Sequence, residues 1–373
     1  MTTMSSLHTF DKAIHTYYNK AWRLPERTPY EQVIKAITNF KKTLDDHDGT
    51  DPFRIYVSAR GRSGAIGRYG MEVCKKIAKQ AGKEIEISST HDKKELDDKY
   101  DFAFLLTSSG TTGTVYEDLD RAILYNIPGI LLVGDETSII PKYLDYNTNS
   151  RIITVKNPSQ SKLSKIKSKD DTINIQGTSF EQDIYPFLIA TIYSALSKEN
   201  ESIYTSLINA LAKNILELKN IDSDRITEIT YLCATYLKEK DDSKIRLTLE
   251  GKKDTNNCYI PYAVKVRLNQ SDELDVSFNE ESEPDMVISY TDGCIEISYK
   301  TNHKPIKIDI PWQQYHKELD SGISKLPEEL WKEIQTSNNT IVFSDALTAA
   351  MLKRINSDTK IMQKKHKKDT IKH

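Results

Sequence analysis

The stretch FRIYVSARGRSGAIGR, residues 53–68, decides how this chain is read. Its first five residues form a short, mostly apolar run rich in β-branched and aromatic side chains, the pattern of a strand buried on both faces. Gly61 and Gly64 then punctuate the chain, and a helical pattern follows from Gly64. The same alternation recurs through EIEIS (84–88), FAFLLT (102–107) with a helix after Gly113, GILLV (129–133) with a short helix over Pro141 to Tyr146, and RIITV (151–155) with a long helix after Gly177. Five such βα units predict a five-stranded parallel sheet covered by helices on both faces, a doubly wound α/β fold. Ligands in these sheets sit beyond the carboxyl ends of the strands. The residues after Val57, Thr107 and Val155 are therefore the ones to inspect.

Outward from this core, two amphipathic stretches, Leu7 to Trp22 and Tyr30 to Leu44, predict a helical layer at the start of the chain. After about Asn200 a helical pair is expected over Ile203 to Leu218 and Ser223 to Lys238. Beyond it, IRLTLEG, YAVKVRLN, ELDVSF, MVISY, CIEISYK and PIKIDI alternate with period two, and Asp292-Gly293 marks a hairpin turn, so a small antiparallel sheet is predicted. Helices are expected over Leu326 to Thr336 and Ser344 to Ile355. The final KIMQKKHKKDTIKH is too polar to bury itself and predicts a disordered tail. The expected divisions are 1–50 for the helical layer, 51–200 for the parallel α/β domain, 201–358 for a C-terminal α+β domain and 359–373 for the tail.

At 373 residues the chain suits two cores rather than one. The 52 basic and 54 acidic residues nearly cancel, which leaves no strong field for nucleic acid or an anionic membrane. Cys74, Cys233, Cys258 and Cys294 show no metal or redox spacing, and no run is long and apolar enough to span a bilayer. A cytoplasmic protein with reduced thiols is expected.

Three segments carry chemistry. In SARGRSGAIGR, glycines allow a tight turn and let backbone N–H groups approach an anion at the start of a helix. Ala59, Gly61 and Gly64 nearly spell a dinucleotide fingerprint, but Ile87-Ser88-Ser89-Thr90, ending the second strand, offers no carboxylate for a ribose diol, which disfavours a nicotinamide dehydrogenase. In TSSGTTGTV (107–115), hydroxyls from Ser108, Ser109, Thr111 and Thr112 with two glycines suit a phosphate cradle, while a single cap at Thr112 or Thr114 is the plainer reading. No Lys stands at Walker spacing, so a phosphomonoester is favoured over a nucleoside triphosphate. In GTSFEQDIYPFLIATIY (177–193), Thr178 and Glu181 have capping-box spacing. The apolar surroundings of Glu181 equally suit a carboxylate tuned as a general base.

Taken together and in this order, GRSGAIGR, SSGTTGTV and GTSFEQ resemble the sugar isomerase (SIS) family of phosphosugar-binding domains, closest to its 6-phospho-3-hexuloisomerase branch. The resemblance covers roughly residues 30–200. It implies that Ser108, Ser109 and Thr112 hold the phosphate, that Arg62 and Ser63 face the sugar, and that Glu181 moves a proton in an enediol isomerisation. It further implies a homo-oligomer, dimer or tetramer, acting on a sugar monophosphate without metal or cofactor. Ala59 and Thr111 depart from the family pattern. So does the absence of any histidine between His91 and His303, where that branch carries one after its glutamate helix. An SIS domain serving as a non-catalytic sugar-phosphate sensor is the alternative.

Overall fold

The structure is a computed structural model. It describes residues 2–92, 94–157, 178–197, 200–239, 245–251, 259–268, 274–278, 284–291, 293–300, 304–313 and 326–370. The stretch Lys156 to Asp171, expected to be mobile without ligand, lies almost wholly outside them.

Helices α1 (Thr2–Trp22), α2 (Leu24–Arg27) and α3 (Tyr30–Asp46) precede an alternating series: β1 (Phe53–Ser58), α4 (Gly61–Gln80), β2 (Ile85–Ser89), β3 (Phe102–Thr107) and α5 (Gly113–Leu124). The series continues with β4 (Gly129–Val133), α6 (Ile139–Tyr146), β5 (Ile152–Lys156) and α7 (Thr178–Leu196). The five strands form one sheet in the order β2-β1-β3-β4-β5, every pair parallel. This is the doubly wound α/β sheet that the repeated βα pattern predicts. Period-two side-chain alternation sorts its two faces. Ile55, Val57, Phe104 and Leu106 join the core under α3, α4 and α7, whereas Tyr56, Ala103, Leu105 and Leu131 join a smaller cluster under α5 and α6. Phe40 of α3 anchors the first face, edge-on to Phe53 at 5.8 Å and Phe102 at 5.0 Å.

The remaining elements are α8 (Asn200–Ile215), α9 (Ser223–Glu239), β6 (Ile245–Gly251), α10 (Tyr259–Leu268), β7 (Leu274–Phe278), β8 (Met286–Thr291), β9 (Cys294–Tyr299), β10 (Ile306–Asp309) and α11 (Glu328–Thr370). Here the expectation of an antiparallel sheet is corrected. YAVKVRLN is not a strand but most of α10. Its helix begins at Tyr259, and the buried residues Ile260, Ala263, Val264 and Leu268 follow helical spacing that a reading begun at Tyr262 conceals. As a crossover helix, α10 makes β6 and β7 parallel, and β6 also pairs parallel with β8. Only the β8–β9 and β9–β10 pairs are antiparallel. Two residues join β8 to β9, too few for a crossover, and Gly293 supplies the positive φ of the turn.

The second sheet has the order β10-β9-β8-β6-β7. Counted from the first strand of each half, both sheets read 2-1-3-4-5, and both have a helical crossover between strands 1 and 2 and a long helix after strand 5. The C-terminal half thus repeats the strand order of the first, with its fourth strand reversed and a hairpin replacing the helix between strands 3 and 4.

Two further expectations are corrected in α11. A single helix replaces the two predicted, and it runs on to Thr370 through the segment expected to be disordered. The polar run Gln335 to Thr340 reads as a break, yet these side chains are buried, and several of them are hydrogen-bonded. Asn339 Nδ2 donates to Asn214 O at 3.1 Å and Pro311 O at 3.0 Å, and Tyr69 OH donates to Ser337 Oγ at 2.7 Å. The helix α1, expected to cover the first domain, packs mainly on α11 and α8, with Phe10 edge-on to Phe343 at 5.6 Å.

On α4, a Cβ added at Gly67 would lie 2.6 Å from Leu106 Cδ1 and 3.3 Å from Val57 Cγ1. Gly67→Val therefore overpacks the sheet interface, and a stability loss of about 1–3 kcal/mol is expected as a lowered denaturant midpoint at unchanged slope. An unchanged midpoint would show that α4 is not seated this closely.

Candidate functional site

In the sheet order, β1 and β3 are neighbours whose following segments part to opposite faces, β1 leading into α4 and β3 into α5. The crevice between those segments is the topological switch point of the sheet. Both glycine- and hydroxyl-bearing motifs of the sequence open onto it.

After β3, the loop is organised by its own hydroxyls. Thr107 Oγ1 accepts from Gly110 N at 3.0 Å and pairs with Thr112 Oγ1 at 3.1 Å. Ser109 Oγ accepts from Thr111 N at 3.3 Å and lies 2.9 Å from Thr111 Oγ1. Thr112 is the N-cap of α5 but makes no side-chain cap hydrogen bond. Its hydroxyl is turned to Thr107 instead, so capping does not account for its presence. Gly110 has φ +62°, and a Cβ there would fall 1.7 Å from Ser138 Oγ. Ser109 and Thr111 are exposed at the loop's tip, and Ser108 and Thr112 are half-buried.

After β1, Gly61 turns the chain with φ +58° into α4. Arg62 and Ser63 occupy the first turn, each only 8% exposed. The guanidinium of Arg62, the residue expected to face the sugar, forms a buried ion pair with Asp345 of α11. Burial by itself would lower the pKa of this group. The charges of Asp345 and then Glu181 outweigh it and raise the value.

Glu181 stands in the first turn of α7 and is half-buried. The side chain of its capping-box partner Thr178 lies outside the described residues. The start of α7 reaches the hydroxyl loop through Gly134, where an added Cβ would lie 2.5 Å from Ser108 O and 3.3 Å from Phe180 Cδ2. The neighbours of Glu181 are fixed by the fold. Gln182 Nε2 donates to Asp345 Oδ2 at 2.6 Å, and buried Asp183 accepts from Asn157 Nδ2, at the end of β5, at 2.8 Å. The structure thus brings Arg62, Ser63, Ser108 and Glu181 to one end of the first sheet, with Ser109 and Thr112 on the same loop as Ser108. His303 and His316, the histidines beyond His91 nearest in sequence, lie outside the described residues.

Sequence reasoning missed two groups. Asp345 gave a faint signal, an acid within the otherwise apolar and small FSDALTAA. Asp118 gave none. It is 2% exposed on α5, accepts from Ser58 Oγ at 2.6 Å and Thr90 Oγ1 at 3.4 Å, and ties α5 to the end of β1.

No protein-family model matches this sequence, and no curated protein matches it. Solved structures similar in fold include a tagatose-6-phosphate ketose/aldose isomerase from Escherichia coli, 12% identical over 72% of this chain and 66% of that one, with a TM-score of 0.44. Another is a glucosamine-6-phosphate deaminase from Thermotoga maritima, 11% identical over 94% and 95%, TM-score 0.46. A third is the C-terminal domain of glucosamine-fructose-6-phosphate aminotransferase from Francisella tularensis, 14% identical over 70% and 69%, TM-score 0.35. Identities this low concern the course of the chain and carry no chemistry across.

Two measurements check this geometry. Gly110→Ala places a side chain in the left-handed region and against Ser138, so a loss of about 1–3 kcal/mol is expected together with a distorted loop; wild-type stability would contradict the loop geometry. Burial, opposed by the Ser58 bond and then by Arg121, raises the Asp118 pKa above 3.8 in the folded state. The native state then holds this proton where the unfolded chain has lost it. The associated stability is full below pH 3.8 and is lost as pH rises through the folded value. Relative to Asp118→Asn, the wild type should weaken over that window and run parallel above it. A difference flat with pH would show that Asp118 is not desolvated.

Proposed function

We propose that the chain binds a sugar monophosphate in the switch-point crevice and isomerises it, moving a proton between adjacent carbons through an enediol. The observation that carries this reading is the Thr107–Thr112 loop. Its hydroxyls order one another rather than cap α5, and they stand at the start of that helix, where N–H groups and the helix dipole favour an anion. Ser108, Ser109 and Thr112 hold the phosphate. Ser63 lines the sugar side, with Arg62 behind it. Glu181, at the start of α7, is the base that takes the proton and returns it. A 6-phospho-3-hexulose is the substrate class suggested by the GRSG and GT-FE motifs. Homo-oligomerisation belongs to the same reading, although here the C-terminal half itself already carries a side chain, Asp345, to Arg62. Among the described residues Cys74, Cys233 and Cys294 are free thiols, which supports a reducing, cytoplasmic location.

Ser109→Ala and Thr112→Ala each remove a donor to a charged oxygen and should weaken sugar-phosphate binding by about 1.5–3 kcal/mol without unfolding the protein. Unchanged affinity in both removes the loop from the site. Glu181→Gln keeps the side-chain shape but cannot take a proton. Deuterium incorporation from solvent into a panel of ketose phosphates should fall on the order of 10²–10⁴-fold while binding persists. Exchange that survives the substitution would end the assignment of Glu181. Binding by the wild type with no exchange of any sugar would favour the sensor reading, which the absence of a histidine between His91 and His303 also suits.

A further inference from the structure

Asp345 is 3% exposed, midway along α11 in the second half of the chain. Its two carboxylate oxygens serve different helices. Oδ1 accepts from Arg62 Nη2 in the first turn of α4, and Oδ2 accepts from Gln182 Nε2 at 2.6 Å in the first turn of α7. One buried carboxylate thus joins the start of α4, which borders the crevice, to the start of α7, and the residue before Gln182 is Glu181. Around Arg62 stand Asp345 from α11, Glu181 from α7 and, more weakly, Tyr17 from α1. On its other side Asp345 faces Tyr290 of β8. Asp183, the remaining acid of that turn of α7, is turned to Asn157.

We propose that Asp345 is a positioning residue for Glu181. Through Gln182 it fixes the first turn of α7 against α4, and through Arg62 it shares one cation between two carboxylates. The inference rests on the isomerase reading of the crevice. A plain structural clamp and this role differ in one respect. Only the latter places the charge of Asp345 where it raises the proton affinity of Glu181, both by repulsion and by occupying Arg62.

The test uses the full chain and solvent deuterium exchange into ketohexose 6-phosphates, followed against pH. Asp345→Asn keeps the size and an acceptor but removes the charge. Arg62 is then left to Glu181, so the acidic limb of the turnover profile should move to lower pH by about one unit, a tenfold change in proton affinity. The plateau should fall about 10-fold or more at a KM within about threefold of wild type, because the phosphate contacts lie elsewhere. Gln182→Leu, which breaks the link to α7 but keeps the charge, should lower turnover with the limb in place. A folded Asp345→Asn protein with the wild-type limb overturns the proposal, whether or not turnover falls. If Asp345→Asn does not fold, wild-type turnover in Gln182→Leu overturns it. A wild type that exchanges no deuterium with any of these sugars fails the isomerase reading, and this role with it. A wild type that exchanges, with both variants unaltered, fails this role alone.

Discussion

At Gly67 and Gly70 the helix α4 presents no side chain to the neighbours it meets. At Gly67 a Cβ would strike Leu106, and at Gly70 it would press on Leu188 and Tyr185 of α7, so the helix backbone rests directly on β1, β3 and α7. That closeness has a positional result. It puts the first turn of α4 over the carboxyl end of β1 and draws α7 in beside it, so Arg62 and Glu181 arrive at the same end of the sheet. With larger residues on that stripe, α4 would stand off and the two charged groups would part.

Close seating also buries Arg62, and a buried guanidinium is tolerable only where a carboxylate meets it. Asp345 does so from 283 residues further along the chain. Removing one partner from such a pair costs about 3–5 kcal/mol, because the other charge is left in a poor solvent. The pair therefore makes each half depend on the other: neither charge can be lost without stranding its partner. The repeated strand order gives this an architectural sense. The helix after strand 5 of each half, α7 in the first and α11 in the second, contributes one carboxylate to the same cation. The second sheet has no counterpart of the hydroxyl loop, since its third strand turns straight back through Gly293.

Much of the first half was legible in the sequence because the central strands β3 and β4 are apolar almost throughout and most switches of period are marked by glycine. The hydroxyl loop was legible too, since its hydroxyls exceed what a cap requires. Where the reading failed, local pattern and tertiary environment disagreed. In α10, the alternation of Tyr262, Val264 and Val266 imitates a strand, while burial follows Ile260, Ala263, Val264 and Leu268 on a helix. In α11, Asn339 and Thr340 look like solvent-facing residues, yet they are buried where Asn339 Nδ2 and Thr340 Oγ1 find backbone partners. The partner of Arg62 was hidden for a related reason. A single motif cannot disclose a carboxylate that arrives from the far end of the chain, and only the folded contact shows that the guanidinium is already engaged.

The long reach of α11 bears on the order in which the molecule is made. A ribosome delivers the first half, with its parallel sheet and hydroxyl loop, well before residues 328–370 emerge. Until they do, Tyr69, Tyr185, Arg62 and Gln182 lack the partners they have in the finished fold, Ser337, Ile334 and Asp345. Closing loops of that length is slow, and α1 must also hold its apolar face uncovered in the meantime. The crevice is thus completed by an element made long after the hydroxyl loop, and a chain that stops short of α11 carries that loop without the carboxylate that meets Arg62. Translation through α11 itself becomes the step that completes the crevice.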